Sequence, residues 1–303
     1  MSVTVAVGVF DGLHRGHLVL FERSRARAQS GRCVAISFDP HPDVVLAKEF
    51  KALAPLTPLP EKHAMLARMG IELHVLPFTR ELAALTPEEF VEVHLRAPFA
   101  PQWLVVGDDF ALGRGRSGNV ERLRSIGTGA GFEVESVPLL SLHGSAVTST
   151  RIREALSLGQ VAEAAELLGR RYRLLGTVVH GDKIGRTLGY PTANLRLHDE
   201  KLVPAHGIYA VWARLAGEAY WRPAAMSVGV RPTFGGVVRT LEVHLLDWEG
   251  DLYGQDVEVA FVNYLRTELR FDSRETLIQA MGQDIIHTRQ QLTAATPERE
   301  GVA

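Results

Sequence analysis

Gly8-Val9-Phe10-Asp11-Gly12-Leu13-His14-Arg15-Gly16-His17 stands where a short β-branched run, Val3 to Phe10, hands over to a helical pattern, His17 to Gln29. A strand that turns through glycines straight into a helix opens a β/α unit, and the sequence beyond it keeps that rhythm. Cys33 to Phe38 is a second apolar run, closed by Asp39-Pro40. Glu61 to Met69 is helical and stops at Gly70, and Ile71 to Phe78 is again strand-like. Thr86-Pro87-Glu88-Glu89 spells a helix start, with Thr86 as cap, Pro87 at the first helical position and Glu89 completing a capping box. Gln102 to Val106, Asn119 to Ile126 and Phe132 to Leu139 read as strand, helix and strand. The alternation predicts an α/β fold with a doubly wound parallel sheet and helices on both faces. Ligands of such sheets sit beyond the carboxyl ends of the strands, here the polar clusters after Phe10, Phe38 and Val106.

Ser149 to Leu168 reads as two short helices with a break near Gly159-Gln160, and after Gly169 the rhythm changes. Arg173 to His180, Ile208 to Leu215, Tyr220 to Val230, Arg239 to Leu246 and Val257 to Phe261 are short strands between turn residues, the pattern of an antiparallel β-barrel. One long helix is expected over Asp272 to Thr293, capped by Asp272 or Ser273. The 303 residues fit two domains, placed at 1–168 and 169–290, with 291–303 as a C-terminal tail. A net charge of -2 gathers neither nucleic acid nor an anionic membrane. The lone Cys33 rules out an internal disulfide. The apolar start of the chain stops at Asp11, too early for a signal peptide, and no stretch has the length of a membrane span. These features predict a cytoplasmic protein; self-association is left open.

Two constellations carry chemistry. In the first, glycines let a phosphate approach the backbone, and the following helix offers unpaired N–H groups to an anion. His14 and His17, three apart, share one side of the first turn and can donate hydrogen bonds to a triphosphate. A capped helix with two surface histidines is the plainer account of the pair alone. A metal site from His14, His17 and His41 lacks a cysteine or glutamate to complete it. Val147-Thr148-Ser149-Thr150-Arg151-Ile152-Arg153 adds hydroxyls and guanidinium groups at a helix start, a polyphosphate clamp or an ordinary cap. No Walker-type P-loop occurs.

The second constellation is Gly176-Thr177-Val178-Val179-His180-Gly181-Asp182-Lys183-Ile184-Gly185-Arg186-Thr187-Leu188-Gly189, with Pro191-Thr192-Ala193-Asn194 close behind. Thr192 and Asn194, two apart in an extended segment, face one side as hard oxygen donors suited to Mg²⁺, or else form a simple turn. In Leu241-Glu242-Val243-His244-Leu245-Leu246, alternation puts Glu242, His244 and Leu246 on one face. That face meets solvent or a cleft, where Glu242 would serve as general base toward an alcohol.

Together these segments carry a resemblance. The glycine turn with the late Ser149-Thr150-Arg151-Ile152-Arg153 resembles the nucleotidylyltransferase superfamily and its Rossmann-like sheet. Phe38-Asp39-Pro40-His41-Pro42 and Val106-Gly107-Asp108-Asp109-Phe110, with Gly113, Arg116 and Gly118, narrow it to the FMN adenylyltransferase module of bifunctional prokaryotic riboflavin kinase/FAD synthetases. The second half resembles the riboflavin kinase module through the glycine loop, Pro191-Thr192-Ala193-Asn194, Gly207-Ile208-Tyr209, Gly229 to Phe234, Glu242 to Asp247, Leu252-Tyr253-Gly254, Leu265-Arg266, Glu268 and Phe271. The resemblance implies that riboflavin is phosphorylated to FMN and FMN adenylylated to FAD, with ATP as co-substrate and Mg²⁺ as cofactor. It implies that Gly8, Phe10, Asp11, Gly12, His14, Gly16 and His17 hold ATP, and that Ser149, Thr150 and Arg153 hold its phosphates. Catalytic roles fall to His14, His17 and Arg153, and Asp109 and Phe110 lie near FMN. In the second half, Gly176, His180, Gly181, Lys183, Gly185, Arg186, Gly189, Pro191 and Arg266 line the nucleotide and flavin sites. Thr192 and Asn194 hold Mg²⁺ and phosphate, and Glu242 is the base. Ala111-Leu112, Arg171 and Ser227 depart from the family pattern, which has a basic residue and Phe, a proline and an asparagine at those places.

The slightly acidic charge counts against nucleic acid as a partner. A chain with one activity and a second, regulatory domain would have lost one chemical set, and both are present. Arg23, Arg25 and Arg27 fan around a solvated helix face. Trp212, Trp221 and Trp248 are expected in the core or rim of the barrel, and Cys33 as an inert buried residue.

Overall fold

The structure is a computed structural model that describes residues 2–47, 53–181, 185, 188–233 and 236–295, with backbone alone at 231–233 and 236–237. The chain divides into two units, one ending at Ser149 and the other beginning at Thr150.

In the first unit, β1 (Val3–Val7), β2 (Arg32–Asp39), β3 (Glu72–Pro77), β4 (Trp103–Gly107) and β5 (Glu133–Val137) form one sheet in the order β3-β2-β1-β4-β5. All neighbours are parallel. The central strand is buried along its whole length because both faces are covered. Val5 and Val7 join one core with Ile36, Leu104, Val106, Phe90 and Leu95, and Ala6 joins the opposite core. That second core includes Leu20 and Phe21 from α1 (Arg15–Ala28) and Met65 and Leu66 from α2 (Leu59–Arg68). Leu123 of α3 (Val120–Ala130) packs in the first core. The capping box forms as the sequence predicts: Thr86 Oγ1 accepts from Glu89 N at 3.2 Å, and Thr86 N donates to Glu89 Oε2 at 2.8 Å. The helix it starts widens to π geometry over Val91–Arg96 while Val91 and Leu95 stay buried. Strand order reverses direction between β1 and β4, the kind of switch point beyond whose carboxyl ends ligands of such sheets generally sit.

The second unit opens on α4, which spans Ser149–Ser157 and so starts at the last residue of the first unit, and α5 (Val161–Leu168). The break falls at Gly159, with φ 76°, where an added Cβ would lie 2.8 Å from the Tyr264 ring. Six antiparallel strands close a barrel: β6 (Arg173–Val179), β7 (Ala193–Leu197), β8 (Gly207–Leu215), β9 (Arg222–Thr233), β10 (Gly236–Leu245) and β11 (Asp256–Arg266). Their order around it is β6-β7-β10-β9-β8-β11. Tyr209, Met226, Val243, Val259 and Phe261 are among its buried side chains. Strand β7 is one more than the sequence pattern separates: its residues alternate apolar and polar, but it has only five of them and follows closely on Pro191. Helix α6 (Arg274–Thr293) is capped by Ser273, whose Oγ accepts from Thr276 N at 3.2 Å. Leu292 joins Ala210, Trp212, Trp221 and Ala260 in a small core beside the barrel. Among the described residues, no helix is long and apolar enough to cross a membrane.

Candidate active sites

Beyond β1 the backbone makes an unusual turn. Phe10 and Leu13 hold φ 51° and 42°, and Gly12 holds 85°. Side chains seldom adopt such values, and both Phe10 and Leu13 are fully buried, so packing holds the strain. The Asp11 carboxylate is nearly buried and engages backbone distant in the sequence. It accepts from the backbone N–H of Leu56 (3.0 Å) and Thr57 (3.0 Å), staking the turn from beneath. Ser149 Oγ, at the end of the first unit, donates to the Asp11 carbonyl at 2.7 Å.

His14, not a residue further on, caps α1, so the helix starts at Arg15 and not at His17. Its Nδ1 accepts a long bond, 3.4 Å, from His17 N–H, which leaves the ring proton on Nε2. The His14 and His17 rings stack with centroids 3.6 Å apart, and Phe10 meets His17 edge-on at 5.3 Å. Gly16 leaves room for this stack, since an added Cβ would stand a tight 3.2 Å from the His14 ring. Gly8 likewise leaves room for Phe10, whose ring would be 2.8 Å from a Cβ. Among the described residues no group of three His, Cys, Asp or Glu gathers as a metal site.

Beyond β4, Asp109 is exposed and Phe110 half-buried against the first core. Arg116 Nη2 donates to the Asp109 carbonyl at 2.9 Å, and Ala111–Leu112 pairs with Gly118–Asn119 as a small ribbon. Thr150 and Arg153 follow Ser149 on α4, in the second unit. Arg151, one of the clamp arginines, is committed to Glu163 at 2.8 Å.

Two groups at this turn escape the sequence patterns. Lys62, 6% exposed on α2, donates to the Val9 carbonyl at 2.8 Å and to Ser37 Oγ at 3.1 Å. Ser37 Oγ in turn donates to Val9 O at 2.8 Å. Burial pulls Lys62 below the ordinary lysine range, against the Asp11 and Asp39 carboxylates, which raise it. The signal was a charge on the apolar stripe Met65-Leu66-Met69 of a predicted helix.

In the barrel, the register lines up the chemistry. Val179 pairs with Asn194, Asn194 with Glu242, Glu242 with Ser227, Ser227 with Ile208, and Ile208 with Arg266. Residues on one rung share a face. Their neighbours Ala193, Val243 and Met226 are buried, which leaves Asn194 and Glu242 half-buried on the other face. Thr192 Oγ1 donates to Glu242 Oε2 at 3.0 Å. His244 Nδ1 donates to Pro191 O at 2.8 Å, and Tyr190 meets the His244 ring edge-on. The sequence placed Leu246 beside Glu242 and His244; it is buried instead, because the strand ends at Leu245.

The glycines serve close approach. A Cβ on Gly181 would lie 2.3 Å from the Asn194 carboxamide, one on Gly185 2.3 Å from Tyr190 O, and one on Gly176 2.7 Å from Arg196 O. Gly189 is exposed with φ 88°. His180 packs on Tyr253 at 4.0 Å. His180, Gly181 and Asn194 line a cavity of about 560 Å³ with Arg196, Arg239 and Thr240. Arg266 is held in a fork by Asp284 of α6, at 2.8 and 2.6 Å. Ser227 Oγ lies 3.4 Å from Glu268, whose carboxylate fills the space a Cβ on Gly229 would need. Lys183, Arg186 and Phe234 lie outside the described residues.

A glycine turn at the switch point of a parallel sheet in one unit, and an oxygen-lined barrel cleft in the other, are the marks of a transferase of nucleotides. A family model described as FAD synthetase matches residues 1–151, and one described as riboflavin kinase matches residues 168–292. Bifunctional riboflavin kinase/FMN adenylyltransferases from Listeria monocytogenes and Escherichia coli are each 37% identical, over 95% and 94% of this chain and 92% and 91% of their own lengths. The Pseudomonas fluorescens relative is 39% identical, over 93% of this chain and 91% of its own. A crystal structure from Streptococcus pneumoniae, described as a macrolide-efflux protein, superposes with a TM-score of 0.88 at 33% identity, over 95% of this chain and 94% of that one. The chain belongs to the bifunctional riboflavin kinase/FMN adenylyltransferase family. Efflux is not carried over from the Streptococcus description, since both family models and these relatives name flavin chemistry.

Proposed function

We propose that the two activities of this flavin-cofactor transferase divide at Gly169: residues 1–168 adenylylate FMN to FAD, and residues 169–290 phosphorylate riboflavin to FMN, with 291–303 as a tail. In the first domain the turn from Gly8 to His17 takes the triphosphate of ATP. The His14 Nε2–H and His17 lie at the helix N-terminus, where hydrogen bonds and the helix dipole favour charge growing at the α-phosphorus. Ser149, Thr150 and Arg153 hold phosphates, and Asp109 and Phe110 border FMN. The FMN phosphate is already an anion: its oxygen bonds to the α-phosphorus as the α–β bridge breaks, and pyrophosphate leaves. No protein nucleophile is needed, so alignment carries the step.

In the second domain Glu242 takes the proton of the riboflavin 5′-hydroxyl as that oxygen bonds to the γ-phosphorus and ADP departs. Thr192 Oγ1, Asn194 and Glu242 form a set of hard oxygen donors, which fits a magnesium ion better than a softer metal. Thr192 and Asn194 would hold it, and it would neutralise phosphate charge. His180, Gly181 and the cavity beside Asn194 suit the nucleotide. Arg266, held by Asp284, borders the bound substrates.

The observation that carries this assignment is the barrel rung, which puts Asn194 and Glu242 side by side with Thr192 bonded to the carboxylate. The partners are small molecules, not nucleic acid or membrane, in keeping with the net charge of -2. We read the enzyme as cytoplasmic, in keeping with two steps that each draw on ATP. The test is incubation with riboflavin, ATP and Mg²⁺ followed by chromatography. FMN should form first and FAD after it; a folded sample that left riboflavin unconsumed would end the assignment.

A further inference from the structure

Lys62 has no part in the chemistry described above, yet it is nearly buried where the strained turn leaves β1. Its position on α2 continues the apolar stripe of Met65 and Leu66, where an aliphatic side chain would fill the space without the cost of desolvating a charge. Nor is the ammonium needed to satisfy the Val9 carbonyl, because Ser37 Oγ already donates to it. Lys62, Ser37 and Val9 form a closed triangle of hydrogen bonds directly before Phe10, the first residue of left-handed backbone. The charged groups bearing on Lys62 are Asp11 from the turn and Asp39 from the end of β2.

We propose that Lys62 is a positioning residue for adenylyl transfer, which by gripping the Val9 carbonyl from beneath keeps the Phe10–Leu13 turn aimed at the triphosphate. The proposal rests on assigning that turn to ATP. It gives a reason for a buried cation in a place where stability alone favours a methionine.

The experiment uses the full chain with Lys62→Met. FAD formation from supplied FMN should lose roughly tenfold to a hundredfold in kcat, the scale of a misaligned reactant. FMN formation from riboflavin, measured in the same sample, should be unchanged, and the melting temperature should not fall. Because the folded lysine titrates below its ordinary range, wild-type FAD formation should decline at alkaline pH as the ammonium is lost, and the variant should lack that limb. Unchanged kcat would overturn the proposal. So would a loss matched by a lower melting temperature with a pH profile parallel to the wild type. Should the variant not fold, the wild-type profile alone decides: FAD formation without an alkaline decline absent from FMN formation refutes the role. Full FAD formation by His17→Ala would remove the turn's ATP role and this inference with it. An inactive His17→Ala beside a fully active Lys62→Met would overturn the inference alone.

Discussion

The two units solve one problem, holding a polyphosphate against a flavin, with different materials. In the first, backbone does the shaping: left-handed residues at Phe10, Gly12 and Leu13, a histidine cap, and a buried carboxylate spent on two N–H groups. In the second, ordinary extended strands bring side chains into line, so Asn194, Glu242 and Ser227 meet through register and no strained backbone is needed at them. The first site is therefore sensitive to anything that alters the turn's conformation. The second is sensitive to the identity of the side chains on one rung.

Substitutions can break this contrast in graded steps. Glu242→Gln should have the largest effect, lowering FMN formation by about a hundredfold to ten-thousandfold, the usual worth of a general base. FAD formation from supplied FMN should persist, as chromatography of both products would report. His17→Ala should do the reverse, cutting FAD formation by roughly a hundredfold to a thousandfold, as loss of one preorganised donor does, while FMN still accumulates. Gly12→Val tests the backbone itself. At φ 85° a β-branched residue adds about 1–3 kcal/mol of strain, so the first unit should melt earlier and FAD formation fall, with kinase turnover kept. Ser149→Ala should have the smallest effect. It removes the bond to the Asp11 carbonyl, worth about 1 kcal/mol, and should raise the KM for ATP in FAD formation a few-fold without touching FMN formation.

Much of this was legible in the chain. Alternating apolar runs gave both sheets their class, and Thr86-Pro87-Glu88-Glu89 announced its capping box because every partner is local. The barrel strand Ala193–Leu197 was less visible: its alternation is intact, but the run is only five residues long and follows closely on Pro191, which reads as a turn. The site residues clustered by motif, but their division of labour did not show. The motif marked Asp11, but not that its carboxylate would also accept from Leu56 and Thr57, forty-odd positions away. Arg266 and Asp284 are 18 residues apart, and Lys62 and Val9 are 53 apart. Pairings at such range depend on tertiary packing, which no local pattern encodes.

The shared rung of β7, β10 and β9 also bears on how this barrel tolerates change in length. Side chains along a strand alternate with a period of two, so deleting one residue of β10 between Gly236 and Leu241 would invert everything from that point to the hairpin or force a bulge. If the slip instead ran toward Leu245, Glu242 would turn inward to the place of Leu241, and a carboxylate would enter the packed interior. Length variation in this family should therefore collect in the connections between strands, with β10 itself keeping a fixed count.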